Sequence, residues 1–365
     1  MASLFDYIYW RGDLSFSEAG LCEVDNLLLS LLSYIDFEGI VPSDMRGEAV
    51  SLSDAARKYL RKHRGETPYL GKIVPPEIVS LMAKASKCKR FSEVGLVGYV
   101  NYISDEDQTQ FSGVMFVLGN GRAYVAFRGT DDTLVGWKEN FNMSFMHPVP
   151  AQLSAVKYLE AACEAFDGDV YVGGHSKGGN LAVFSAVKCS PDLRDRIISV
   201  FNNDGPGFDK EFIGGEDYAA VRPKIRTIVP HSSVVGMLLE HEENYEVIKS
   251  NTSGLLQHNG FSWEILGGQF IHLDTVTEES RLVDTTLKAW LDEMTPEQRE
   301  EFVDSLFATL SDTNVKTLTE LSTEKIKLVK AWGTLDAKAR SIILKCISIF
   351  LKEGTRTFKK TPKNQ

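Results

Sequence analysis

The stretch DVYVGGHSKGGNLAVFSAVKC, residues 169–189, decides how this chain is read. Val170-Tyr171-Val172 has the β-branched and aromatic character of a buried strand, and from Lys177 onward small and apolar residues recur at helical spacing. Between them Gly174-His175-Ser176-Lys177-Gly178 matches the G-x-S-x-G pattern in the strand, turn and helix context that the pattern requires. Glycines on either side permit a strained turn in which a Cβ would strike the neighbouring strand or helix, and that turn pushes Ser176 out at the carboxyl edge of a sheet. The expected role of Ser176 is that of a nucleophile. A structural or phosphate-binding glycine turn is the competing reading, although the Gly-x-x-x-x-Gly-Lys-Ser/Thr spacing of a nucleotide loop is missing.

Outward from this stretch, strands and helices alternate. GLVGYVNYIS (95–104), SGVMFVLGN (112–120) and GRAYVAFRG (121–129) read as strands, with Asn120-Gly121 as a hairpin turn. Residues 151–166 and 178–189 read as helices, and 197–204, 224–231 and 244–250 as further strands. The pattern predicts an α/β fold with a mostly parallel sheet and helices on both faces. Helical periodicity at 18–35, 52–63 and 76–90 makes residues 1–90 an N-terminal helical layer on a core of 91–275. Residues 276–351 read as a C-terminal helical region packed on that core, with Thr295, Pro296 and Gln298 forming a helix start. The last segment, 352–365, is a basic tail.

Forty Lys and Arg against fifty Asp and Glu give a net charge of −10, so no global positive field recruits nucleic acid. The richest apolar run, 27–35, is nine residues long, and a membrane span needs about twenty. Without a basic, then apolar, leader at the N-terminus, and with five scattered cysteines, the expected location is the cytoplasm. No histidine set has metal-ligand spacing, and the expected chemistry requires no cofactor.

A serine nucleophile needs oxyanion donors, a base and an acid. The backbone N–H of Lys177 follows the nucleophile, and Thr130, after the strand 123–127, offers a second donor. Asp131 suits a salt bridge to Arg128 better than an oxyanion hole. His63 and His147 precede the turn, His175 is locked beside the serine, His241 sits in a helix-like acidic run and His272 lies past an apolar stretch. His258, in a loop after the strand 244–250, is the favoured base, with His231 as the alternative. Asp204, closing the strand 197–203, is the favoured acid, with Asp209 and Asp274 behind it.

FRGTDD and GW-x2-NF (127–141), GHSKGGNLA (174–182), NNDGPGF (202–208), IVPHSSVVGMLL (228–239) and QHNGFSW (257–263), taken in this order, resemble the Mbeg-like family of bacterial α/β-hydrolases, related to class 3 lipases. The resemblance covers about 20–275 and implies an α/β-hydrolase fold with Ser176 as nucleophile, Thr130 in the oxyanion position and His258 as base. It places the class 3 acid after the next strand, where Pro230-His231-Ser232-Ser233 offers no carboxylate. Asp204 then serves from one strand earlier, or the triad is incomplete. Lys177 also departs from the apolar or amide residue usual there, a cation for an anionic headgroup or simply for solvent.

The function expected from these residues is hydrolysis of a carboxylic ester, with a small-molecule or lipid ester as the partner. The alternative is a non-catalytic binding or scaffolding module on the same fold. A membrane-surface lipase would need an amphipathic lid, for which 207–221 and 234–243 are the candidates; neither is strongly basic, so membrane contact has weak support.

Overall fold

The computed structural model describes residues 2–64, 74–131, 133–241 and 243–311, together with 317, 340 and 341. The part of the expected C-terminal helical region beyond 311 and the basic tail lie outside the described residues, apart from those three positions.

A nine-stranded sheet organises the chain. Its strands are β1 (Val50–Ser51), β2 (Gly95–Ser104), β3 (Thr109–Val117), β4 (Arg122–Phe127), β5 (Asp169–His175), β6 (Ile197–Asn203), β7 (Ile225–Pro230) and β8 (Glu246–Ile248), closed at the far edge by β11 (His272–Leu273). A separate hairpin pairs β9 (Ile265–Leu266) with β10 (Gln269–Phe270). Strands β4 to β8 run parallel, while β1 to β4 and the β8–β11 edge are antiparallel. The turn between β3 and β4 uses Gly119 and Gly121 in the left-handed region, as the expected hairpin requires.

Parallel strands taken in sequential order keep their right-handed crossovers on one face, so the other face needs a different cover. On the crossover side, α5 (Leu134–Asn142), α6 (Pro150–Ala165), α7 (Lys177–Lys188) and the short α8 (Pro191–Arg194), α9 (Lys210–Ile213) and α10 (Glu216–Val221) connect the strands. Leu159, Val172, Leu181 and Val200 are buried there in one apolar cluster. The N-terminal layer covers the opposite face through α1 (Leu4–Arg11), α2 (Glu23–Leu32), α3 (Leu52–Lys62) and α4 (Glu77–Ala85).

Helix α2 is buried at every position, polar ones included. Asn26 reaches Asn203 of β6 at 2.8 Å, and the Tyr124 hydroxyl of β4 donates to Asn26 Oδ1 at 2.7 Å, so these buried polar groups are satisfied by one another. This network holds the N-terminal layer against the carboxyl half of the sheet. Helices α11 (Glu278–Asp292) and α12 (Pro296–Ser311) lie against α5, with Leu134, Phe302, Val303 and Phe307 in a cluster of their own. The start of α12 carries the expected capping box: Gln298 N–H donates to Thr295 Oγ1, and Thr295 N–H to Gln298 Oε1.

Candidate active site

Ser176 stands between β5 and α7 with φ 60° and ψ −134°, a conformation that costs energy for a residue with a Cβ. The surroundings hold it there. Its N–H donates to the Asn203 carbonyl at 2.9 Å, extending the β5–β6 pairing through the turn. A Cβ on Gly174 would sit 2.3 Å from the Gly178 carbonyl carbon, one on Gly178 2.1 Å from the Phe127 carbonyl oxygen, and one on Gly179 2.1 Å from Asn202 Oδ1. Glycine is therefore forced where backbone meets backbone, and α7 starts close against the sheet.

The carboxyl ends of the next strands supply the partners, as expected at the open edge of a parallel sheet. Asp204, directly after β6, is fully buried, and its N–H donates to the Ile228 carbonyl at 2.8 Å. Its Oδ2 accepts from His258 Nδ1 at 2.7 Å; its Oδ1 accepts from the Ser233 hydroxyl and from Gly236 N–H at 3.2 Å. The carboxylate accepts from every group that contacts it, so His258 Nδ1 carries a proton directed at Asp204.

His258 ends a single 3-10 turn, Gly254–His258, fastened from three sides. Its carbonyl accepts from His175 Nε2 at 2.7 Å, the Gln257 carbonyl accepts from Trp263 Nε1 at 2.8 Å, and Gln257 Oε1 accepts from Ser232 N–H at 2.8 Å. The His175 and His258 rings lie with centroids 4.6 Å apart. Burial pulls the His175 pKa down to about 3, so His175 stays neutral as a donor to the loop.

Thr130 and Lys177 complete the expected set. Gly129 abuts Ser176, since a Cβ there would be 3.0 Å from Ser176 Cβ and 2.1 Å from the Tyr34 hydroxyl. Thr130 Oγ1 donates to Asn140 Oδ1 at 2.9 Å. As the first residue of α7, Lys177 has a backbone N–H without an intrahelical acceptor. Its side chain corrects the reading of a cation facing headgroup or solvent. The ammonium is 1% exposed and donates to the Gln110 carbonyl, Gln110 Oε1 and Glu139 Oε2 at 2.6, 3.0 and 2.8 Å. Glu139 in turn accepts from Gln110 and Ala151 N–H groups, so the pair is satisfied on both sides.

Ser176, His258, Thr130 and Lys177 line one cavity of about 720 Å³. Leu31 and Tyr34 form part of its wall, with Trp137 and Phe141 of α5, Trp290 of α11 and Phe302 of α12 opposite. No hydrogen bond joins the Ser176 hydroxyl to His258 among the described residues; such contacts are often long without substrate and tighten when it binds.

The alternative site residues are occupied elsewhere. His231 accepts from Ser250 N–H at 3.3 Å and faces the Gln257 amide at 3.1 Å. Asp209 caps α9, accepting from Phe212 N–H at 2.9 Å, and Asp274 is exposed. The expected ion pair of Asp131 with Arg128 is present at 3.3 Å, whereas Asp132 lies outside the described residues. His241 is in no helix; it contacts Glu243 Oε1 and donates to the Gly236 carbonyl. Of the two lid candidates, 207–221 is packed rather than poised: Phe208 and Phe212 stack with Phe184 of α7. Segment 234–243 contributes Val235, Leu238 and Leu239 to the cavity wall.

Sequence reasoning passed over Ser233, Gly236 and Glu139, and set His175 aside as locked beside the serine without foreseeing its bond to the His258 loop. His175, Ser233 and Gly236 stood inside quoted motifs, but their hydrogen bonds are visible only in three dimensions. Nothing local marks Glu139.

Fold and site together define an α/β protein that gathers a serine, a histidine and an aspartate at the carboxyl edge of its sheet. A family model described as Mbeg1-like matches residues 85–308, more than half of the chain, and the chain belongs to that family. No curated protein matches it. Among solved structures it is similar to the Rhizomucor miehei lipase in its propeptide complex at 16% identity and TM-score 0.34, over 44% of this chain and 58% of that one. A fungal lipase–inhibitor complex (16%, TM-score 0.31, covering 44% and 68%) and M37 lipase (17%, TM-score 0.34, covering 57% and 67%) are similar at the same distance. The chain thus spans 58% of the length of the Rhizomucor miehei lipase chain.

Proposed function

We propose that the protein is a serine hydrolase that cleaves carboxylic esters through an acyl-enzyme on Ser176. The observation that carries this reading is the 2.7 Å pairing of Asp204 with His258 in the cavity that Ser176 also lines. The strand, serine and helix then act as a nucleophile elbow. His258 Nε2 takes the Ser176 proton as the alkoxide attacks the ester carbonyl, and the backbone N–H groups of Lys177 and Thr130 hold the oxyanion. Asp204 keeps the imidazole in the useful tautomer and favours the imidazolium that forms. His258 next protonates the leaving alcohol, and water, deprotonated by the same imidazole, releases the acid. The apolar wall suits the hydrocarbon part of an ester.

A binding module on the same fold is the second reading, favoured by the Ser176 hydroxyl, which has no hydrogen bond to His258. A fluorophosphonate probe separates the two. Labelling of the wild type but not of S176A, with turnover of p-nitrophenyl esters lost in S176A, is the expected result; an unlabelled wild type with no turnover rejects the enzyme reading.

A further inference from the structure

Three charged residues line the cavity, Glu77, Lys177 and Arg299. Glu77 is exposed at the start of α4, and Lys177 directs its ammonium to Glu139 behind the turn. Arg299, in the first turns of α12, is the third. Its Nε and one Nη donate to the Leu291 carbonyl at 3.2 and 2.8 Å, and the other Nη donates to the Ser144 carbonyl at 2.6 Å. The guanidinium thereby ties the carboxyl ends of α11 and α5 together. Of its five N–H donors these bonds use three, which leaves two.

Among the described residues no carboxylate lies within ion-pair distance of it. Burial lowers the Arg299 pKa, and the charge of Asp292 on α11 offsets this in part. An arginine does not escape by losing its proton, so the two remaining charged donors of this half-buried guanidinium, beside apolar side chains of the same cavity, favour an anion. Position gives the spacing. Ser144 follows Asn140 by four residues, about 6 Å at the rise of an α-helix, and Asn140 is the acceptor of the Thr130 hydroxyl beside Ser176. Arg299 and Ser176 thus line the same cavity, linked through α5 and the residues just after it, which carry Asn140 and Ser144.

We propose that Arg299 makes the site selective for esters that carry an anionic group, a carboxylate or a phosphate, in the part of the substrate that reaches the α11–α12 wall. Its planar fork matches either group, and the wall formed by α5, α11 and α12 takes the hydrocarbon. A neutral ester leaves the two donors facing apolar chain, which is the penalty that separates the substrates. The net charge of −10 repels anions at a distance, so a preference for them would have to be local. The inference rests on the hydrolase reading of Ser176 for its chemistry, but its recognition step is tested without catalysis.

S176A is titrated with octyl phosphate, octanoate and octanol, read by the fluorescence of Trp137 and Trp290 in the cavity wall. Expected is binding of at least one anion about tenfold or more tighter than octanol, the scale of one charge-assisted hydrogen bond. The phosphate and carboxylate arms show which group is preferred. In S176A/R299Q the ratio should fall to about twofold or less, and in S176A/R299K an intermediate preference should remain. Equal binding of anions and octanol by S176A, or an unchanged ratio in the R299Q background, overturns the inference; if R299Q does not fold, an R299K ratio equal to that of S176A does so. Anion preference together with an unlabelled wild type overturns the hydrolase reading instead, leaving Arg299 as an anion-binding residue of a non-catalytic site.

Discussion

Asp204 and His258, 54 residues apart in the chain, meet through a 2.7 Å hydrogen bond from Nδ1 to Oδ2. The carboxylate stands at the end of a central parallel strand and the imidazole on a short turn beyond the last parallel strand, so the pair closes the sheet edge over the cavity. Ser233 and Gly236, from the segment after β7, hold the other carboxylate oxygen. The segment after β7 thus supplies two donors to a carboxylate that ends the strand before it.

Replacing Asp204 by asparagine should lower kcat by about 10⁴ if the triad operates as proposed. The amide would turn an N–H toward Nδ1 and move the imidazole proton to Nε2, where it blocks the base. Stopped-flow or steady-state turnover of a p-nitrophenyl ester, beside a circular dichroism spectrum matching the wild type, checks this. Near-normal kcat in D204N would remove Asp204 from the mechanism.

Lys177 should matter for stability through its buried pair with Glu139. K177M leaves a fully buried carboxylate without its cation and is expected to cost about 3–5 kcal/mol. The double variant K177M/E139Q should recover a large part of that loss. Urea denaturation of the three proteins tests the prediction, and a K177M midpoint equal to the wild type would refute the buried-pair assignment.

Gly178 should tolerate no side chain. A Cβ there would stand 2.1 Å from the Phe127 carbonyl oxygen and 2.9 Å from its carbon, both backbone atoms of a central strand that cannot swing aside. G178A is therefore expected to be destabilised by about 1–3 kcal/mol or more, with the Ser176 turn displaced and probe labelling lost. A soluble G178A that labels at the wild-type rate would contradict the packing described for the turn.

His175 predicts a pH dependence. Its folded pKa is pulled from 6.5 to about 3, chiefly by burial, while the unfolded chain returns the imidazole to its ordinary value. Between about pH 6.5 and 3 the unfolded state therefore binds the extra proton, and stability falls as pH is lowered through that window. Above it the contribution is independent of pH. In H175Q the unfolding free energy should fall less steeply between pH 6.5 and 4.5, by up to about 1.4 kcal/mol per unit. Parallel slopes for variant and wild type would show that His175 is not the neutral, buried donor to the His258 loop.

Local sequence was enough for whatever a few neighbouring residues decide. Hydrophobic periodicity placed most of the elements to within a few residues, and the glycines around Ser176 identified the strained turn because they bear directly on which backbone conformations are open. Asp204 and His258 stood first among the candidates on position along the strands, ahead of Asp209 and His231. Their contact belongs to the tertiary structure, since a hydrogen bond between residues 54 apart exists only once two loops converge over the same sheet edge.

The same reason accounts for what the sequence misjudged. Lys177 looks exposed because it is charged and follows a turn, yet the start of α7 faces inward, where Glu139 from another helix satisfies it. Segment 207–221 looks amphipathic enough for a lid, but Phe184 on α7 presents a face for Phe208 and Phe212 to stack on, and the segment packs there. By itself the sequence determined the strand–helix order, the serine turn and the types of residue available for its chemistry, because these follow from backbone sterics and periodicity. Only the tertiary structure decided which charges are buried in pairs, which histidine meets Asp204, and that α11 and α12 bring Arg299 to the cavity, because burial and partnership depend on which faces meet.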